Sequence, residues 1–103
     1  MTSKQRAYLK GLAMNIEPIY QVGKSSITPE LTSGLNEALE ARELVKIRVL
    51  KNCLDDPKEI AQILGERTHS EVIQVIGKKI VLYRESKNKK KIELPKENKV
   101  TKR

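Results

Sequence analysis

Two helix starts, each marked by a capping residue followed by proline, constrain the fold of this chain more than any other feature. They are Thr28-Pro29 and Asp56-Pro57. Proline is favoured at the first helical position because it has no N–H group to leave unpaired there. The first of these helices is predicted to end near Arg42. Residues 44–50 then alternate apolar and basic side chains, which is the period of a half-buried strand with one basic face, formed by Lys46 and Arg48.

The other elements follow from the same periodicities. They are a first helix at 4–16, a short strand at 19–22 and two β-branched strands at 72–76 and 79–83. Thr2 and Gln5 fit a capping box for the first helix, and Gly77-Lys78 suits a tight hairpin turn. A strand–helix–strand unit crosses over right-handed and pairs its strands in parallel, whereas a hairpin is antiparallel. The sequence therefore predicts one compact α/β domain of order αβαβαββ, with a mixed four-stranded sheet.

The charge of the chain is concentrated near its C-terminal end. The 103 residues include 21 Lys and Arg against 13 Asp and Glu, for a net charge of +8. Residues 84–103 contain nine of the basic side chains and three acidic ones, for +6. We expect residues 1–95 to form the domain and 96–103 a basic, disordered tail, with Ile92 and Leu94 either forming a short edge strand or docking on the domain. Such a charge favours a polyanionic partner.

Several classes of function find no support in the sequence. No apolar run approaches the length of a membrane span, so we expect a cytoplasmic protein with no membrane partner. With one cysteine, Cys53, and one histidine, His69, no cluster has metal-ligand spacing. Gly23-Lys24-Ser25 resembles the end of a nucleotide-binding P-loop, but Pro18 stands where that motif needs glycine. No catalytic set can be assembled, so we expect no enzymatic activity, cofactor, metal or small-molecule substrate.

The loop from Gly23 to Ser26 joins a strand to a helix start and contains small residues and one lysine. Such a loop lets the backbone approach phosphate groups, as in modules that clamp RNA with a GXXG loop. Glycine and serine are also common in turns for conformational reasons alone. We expect Ser26 to adopt a negative φ. The three tyrosines are predicted to be core or sheet residues and not platforms for bases: Tyr8, Tyr20 and Tyr83.

Six segments in collinear order resemble the CRM domain family (chloroplast RNA splicing and ribosome maturation) and its stand-alone bacterial members, the YhbY/YqeI-like proteins. They are Lys4-Gln5-Arg6 with Leu9-Lys10-Gly11-Leu12-Ala13, Pro18 to Lys24, Ala38 to Ile47, Val75 to Lys78, Val81 to Arg84, and Ile92 to Pro95. The resemblance implies a fold similar to the C-terminal domain of translation initiation factor three. It also implies RNA binding and, for the bacterial members, association with precursors of the large ribosomal subunit.

The resemblance also implies which residues contact RNA. The family's GXXG loop maps onto Gly23, Lys24, Ser25 and Ser26, and its basic first helix onto Lys4, Arg6 and Lys10. This chain departs from the family at Ser26, where the second loop glycine is usual, and at Met14, where histidine is common. Two alternatives remain open: a protein-interaction module on the ribosome, and an RNA-processing enzyme.

Overall fold

The computed structural model describes residues 1–95, so the predicted tail at 96–103 lies outside the described residues. The elements are α1 (Ser3–Ala13), β1 (Tyr20–Val22), α2 (Pro29–Arg42), β2 (Leu44–Val49), α3 (Pro57–Thr68), β3 (Glu71–Ile76) and β4 (Lys79–Tyr83). This is the predicted αβαβαββ order. The capping predictions are also confirmed: Thr28 accepts a hydrogen bond from the N–H of Leu31, Asp56 accepts one from Lys58, and Thr2 and Gln5 form a capping box.

The four strands form one sheet in the order β1-β2-β4-β3. β1 is parallel to β2, and the other two pairings are antiparallel, so the predicted mixed sheet is confirmed. Three connections consequently lie at the same end of the strands: the one from β1 to α2, the one from β2 to α3, and the hairpin turn Gly77-Lys78. We call this end of the sheet the loop end.

The sheet separates two apolar cores. On one face, α2 and α3 pack through leucines and isoleucines against the alternate positions Ile80 and Leu82 of β4. On the other face, Leu9 and Ala13 of α1 pack against Val81 and Tyr83. Since successive side chains of a strand point to opposite faces, β4 contributes to both cores. The sheet is thus the middle of three layers.

Two features of α1 differ from the prediction. The helix ends at Ala13 and not at Ile16, and the N–H of its C-cap, Met14, is bonded to the carbonyls of Gly11 and Leu12. The chain continues from Met14 to Ile16 in tighter turns, in which the N–H groups of Asn15 and Ile16 donate to the carbonyls of Leu12 and Ala13. Pro18 then disfavours the helical conformation at Glu17. The second difference is Tyr8, which was predicted to be a core or sheet residue but has 42% of its surface exposed.

Residues 85–95 form a strap that runs back over the domain to α1. Ile92 and Leu94 dock against the α1 core without forming a strand. The strap is held by the fully buried carboxylate of Glu43, which accepts hydrogen bonds from the backbone N–H groups of Ser86, Lys91 and Ile92. Burial alone would raise the pKa of Glu43, but these donors outweigh it and hold the pKa below its ordinary value.

Candidate nucleic-acid interface

The loop from Gly23 to Ser26 is a tight turn at the loop end of the sheet. The N–H of Ser26 donates a hydrogen bond of 2.9 Å to the carbonyl of Gly23. Ser26 has a φ of +56°, so the expectation of a negative φ is wrong. The left-handed conformation costs an L-residue about 1–2 kcal/mol, which is why glycine suits this position. Ser26 therefore has a backbone conformation that favours glycine.

A second loop, at 50–55, supports the first one. The N–H of Leu50 donates to the carbonyl of Val22 at 2.8 Å, and the hydroxyl of Ser26 donates to the carboxylate of Asp55. A Cβ built on Gly23 would lie 3.4 Å from Oδ1 of Asn52. The two loops therefore form one continuous surface at the loop end.

Beside these loops lies a cleft with a volume of about 540 Å³. Its basic lining residues are Arg48, Lys51, Lys78 and Lys79, and its other lining residues are Val49, Leu50 and Ile76. We call it the basic cleft. No carboxylate is among these lining residues. Each of the three connections at the loop end contains a lysine: Lys24 after β1, Lys51 after β2 and Lys78 in the hairpin turn.

Electrostatics favours an anionic ligand in the basic cleft. Arg48 and Lys79 are direct cross-strand partners in β2 and β4. Like charges at such positions destabilise a sheet by about 0.2–1 kcal/mol. The ion pairs within residues 1–95 involve other basic side chains, those of Arg6, Arg84 and Lys90. None of these ion pairs within residues 1–95 offsets the repulsion between Arg48 and Lys79.

The basic residues of α1 lie at different distances from the loop end. Arg6 sits at the start of β3, where its guanidinium donates to the carbonyls of Val72 and Ile73 at 2.7 and 3.3 Å and pairs with Glu71 at 3.0 Å. The other end of α1 reaches the cleft residues Ile76 and Lys79. The helix therefore runs along β3 towards the loop end.

The seven predicted contact residues lie at different distances from the loop end. Gly23, Lys24, Ser25 and Ser26 lie at the loop end but do not line the basic cleft; a Cβ built on Gly23 would lie 3.7 Å from the cleft residue Leu50. Lys10 is exposed on the half of α1 nearer the loop end, whereas Lys4 lies about 9 Å further back along the axis at 1.5 Å per residue. The donors of Arg6 are engaged by β3, so an RNA contact by Arg6 stays a prediction.

Sequence reasoning identified the basic face of β2 but missed three lysines of the basic cleft: Lys51, Lys78 and Lys79. The alternation in β4 contained a signal for Lys79, because residues 79, 81 and 83 of a strand lie on the same face of the sheet. What the sequence did not contain was the register that sets Lys79 opposite Arg48. Within residues 1–95, no group of three or more His, Cys, Asp or Glu side chains is arranged to hold a metal ion, and none of the helices has the length and hydropathy of a membrane span.

Comparison with known proteins identifies the family. The model of the CRS1/YhbY (CRM) domain matches residues 1–84. The chain belongs to the CRM family. The matched CRM region contains α1, both loops of the loop end and all four strands, so the resemblance found in the sequence is confirmed.

Individual CRM relatives cover nearly the whole chain. The probable RNA-binding protein YqeI of Bacillus subtilis is 45% identical over 95 residues, which are 92% of this chain and 99% of the relative. An RNA-binding protein of Haemophilus influenzae is 32% identical over 95 residues, covering 92% and 95% of the two chains. The solution structure of a hypothetical protein from Staphylococcus aureus matches with a TM-score of 0.77 at 53% identity, over 92% of this chain and 99% of that one.

Proposed function

We propose that this CRM-family chain binds RNA through its loop end, and that the RNA is rRNA in precursors of the large ribosomal subunit. The observation that carries the proposal is the opposed pair of Arg48 and Lys79 in a cleft lined by four basic side chains and no carboxylate. The names of the relatives from Bacillus subtilis and Haemophilus influenzae agree with an RNA partner.

Binding is expected to be dominated by the phosphate backbone. The basic cleft supplies the charge, while the turn from Gly23 to Ser26 lets the main chain come close to a phosphate, with Lys24 beside it. Lys10 extends this surface along α1, and Lys4 and Arg6 would extend it further. Phosphate contacts of this kind position a protein on RNA without reading its sequence.

The role we propose is to hold structured rRNA during assembly of the large subunit in the cytoplasm, without catalysing a reaction. The resemblance to the stand-alone bacterial members supports the choice of rRNA. Crosslinking in cells followed by sequencing of the bound RNA tests it directly. Recovery of large-subunit precursor sequences is the expected result, and recovery of unrelated transcripts would contradict the rRNA proposal while leaving RNA binding intact.

Charge reversal at matched positions tests the interface itself. Lys79→Glu alters the basic cleft, whereas Lys89→Glu makes the same change of net charge in the strap, at the other end of the sheet. In fluorescence anisotropy with a structured rRNA fragment, we expect Lys79→Glu to weaken binding about tenfold or more and to lower the salt dependence by about one phosphate contact. Lys89→Glu should have a much smaller effect.

Equal losses in the two variants would mean that only net charge matters, and the assignment of the loop end would fail. The same titration separates the alternatives. Binding that disappears at high salt favours the RNA proposal, whereas a protein-interaction module would bind its partner without bound RNA. Metal-dependent cleavage of the fragment would indicate an RNA-processing enzyme instead.

A further inference from the structure

Two large apolar side chains lie exposed at the end of α1. Met14 has 81% of its surface exposed and Ile76 has 62%. They line one small cleft between the end of α1 and strands β3 and β4, together with Ala13, Val81, Gln74, Lys46 and Lys79. We call it the apolar cleft. Exposed apolar side chains that are grouped at a concave site, unlike single scattered ones, are a feature of binding surfaces.

The surroundings of the apolar cleft indicate what it binds. It shares Ile76 and Lys79 with the basic cleft, so the two clefts are neighbours. Its charged lining residues, Lys46 and Lys79, are both basic. A ligand that occupies both clefts must therefore have an anionic part and an apolar part that is flat or compact, and the two parts must lie close together. A nucleotide has this combination, since its phosphate and its base are directly linked through the ribose.

The size of the apolar cleft limits the ligand to a small group. Its volume is about 130 Å³, well below the roughly 300–1,000 Å³ of sites that enclose a whole drug-sized molecule. It is therefore suited to one group of a larger ligand that is held mainly elsewhere. A methionine thioether makes favourable contacts with aromatic rings and adapts to their shape. Gln74 adds an amide that can hydrogen-bond a base edge.

We propose that the apolar cleft receives one unpaired base of the bound RNA, packed against Met14 and Ile76, while the adjoining phosphates occupy the basic cleft. This inference rests on the proposed RNA binding and adds a preference for RNA with an unpaired nucleotide over continuous duplex. A paired base is buried in its own stack and cannot enter the apolar cleft. The side chains that receive the base are aliphatic, because Tyr20 and Tyr83 are packed into the cores and the exposed Tyr8 does not line the apolar cleft.

The test compares two RNAs with equal numbers of phosphates: a hairpin with a single-stranded loop and a blunt duplex. The wild-type protein should bind the hairpin about threefold to tenfold more tightly, as expected for burying part of one base. The double variant Met14→Gln/Ile76→Thr should lose most of this preference. Its salt dependence should stay the same because no charge is removed. A 2-aminopurine placed in the loop should change its fluorescence on binding the wild type but not the double variant.

The control is Ile63→Thr, which removes the same group from an exposed isoleucine on α3, on the other face of the sheet. It should keep the preference, and circular dichroism melting should show that all variants are folded. A wild-type protein that binds both RNAs equally would overturn the inference while leaving RNA binding in place. A double variant that keeps the preference would also overturn it, and would favour a protein as the occupant of the apolar cleft. Absence of binding to either RNA would instead refute the proposed function and the inference with it.

Discussion

The hydroxyl of Ser26 donates a hydrogen bond to the carboxylate of Asp55, which joins the loop after β1 to the loop after β2. The two residues are 29 positions apart. Asp55 places a negative charge beside the turn, but it also fixes the side chain of a residue whose backbone is in the left-handed region. The bond thus offsets part of the cost of having serine where glycine fits best.

The first prediction concerns the stability of Ser26 variants. Ser26→Ala loses the hydrogen bond and keeps the unfavourable φ, so we expect it to lower the free energy of unfolding by about 1 kcal/mol. Ser26→Gly also loses the bond but relieves the backbone, so it should be the more stable of the two and lie within about 1 kcal/mol of the wild type. Urea denaturation measures both.

Ser25 provides the matched control, because it is exposed in the same turn but does not have a positive φ. At this position alanine should be more stable than glycine, since glycine has more freedom to lose on folding. The opposite order at Ser25 and Ser26 is the result we expect. The same order at both positions would mean that the left-handed conformation of Ser26 does not determine the stability of this turn.

Features that depend on interactions between residues close in the sequence were predicted correctly, whereas features that depend on distant residues were not. Thr28-Pro29 and Asp56-Pro57 act within one helical turn, and the alternation in β2 reports burial directly, so the elements and their order were predictable. The left-handed φ of Ser26 was predicted wrongly, although the glycine that is usual at this position in the family is a signal for it. The position of Arg6 depends on carbonyls of β3 that are 66 and 67 residues away.

The candidate site shows the same limit. Lys46 and Arg48 were visible as a basic strand face, and Gly23 to Ser26 as a loop. The basic cleft required the pairing of β2 with β4 in a specific register. Only that register sets Lys79 opposite Arg48, and periodicity within one strand does not specify its neighbour.

The second prediction separates a structural from a binding role in α1. Arg6→Met removes hydrogen bonds to two carbonyls of β3 and should lower the free energy of unfolding by about 1–3 kcal/mol. Lys10→Met removes the same charge from an exposed position and should change stability by less than about 0.5 kcal/mol while weakening RNA binding. If Arg6→Met weakens RNA binding as much as Lys10→Met at a temperature where both are folded, Arg6 contacts RNA as well.

The third prediction is a pH dependence that originates at Glu43. Because its pKa is lowered in the folded protein, its stabilising contribution is complete above the ordinary pKa and is lost as the pH falls through the folded value. In Glu43→Gln, an amide group replaces one of the oxygens that accept the N–H groups of the strap. We expect this variant to lose about 2–3 kcal/mol of unfolding free energy at neutral pH.

The difference between Glu43→Gln and the wild type should begin to shrink as the pH falls below about 4.5, the ordinary pKa of a glutamic acid, because the unfolded chain then binds a proton that the folded carboxylate does not. It should be lost once the pH has fallen below the lowered pKa of the folded protein. Urea denaturation across this range measures it. The control is Glu37→Gln, at an exposed position of α2, the helix that Glu43 caps; it should have a small effect at every pH. A constant difference between Glu43→Gln and the wild type across the titration would contradict the role of the charge.

The fourth prediction concerns the packing of α2 on β1, the strand that leads into the loop from Gly23. A Cβ on Gly34 would lie 2.5 Å from the hydroxyl oxygen of Tyr20 and 3.0 Å from Cζ of its ring. Gly34→Ala should therefore destabilise the protein by about 1 kcal/mol or more, even though alanine is the better helix former. Tyr20→Phe removes the nearest atom, so Gly34→Ala should cost less in that background, and a double-mutant cycle by urea denaturation measures the difference. Equal effects of Gly34→Ala with and without the tyrosine hydroxyl would show that this contact does not set the distance between α2 and β1.

Gly11→Ala is the control for the helix propensity of alanine. Gly11 lies in α1 with no atom within 4 Å of the added Cβ, so this substitution should stabilise the protein by about 0.5–1 kcal/mol.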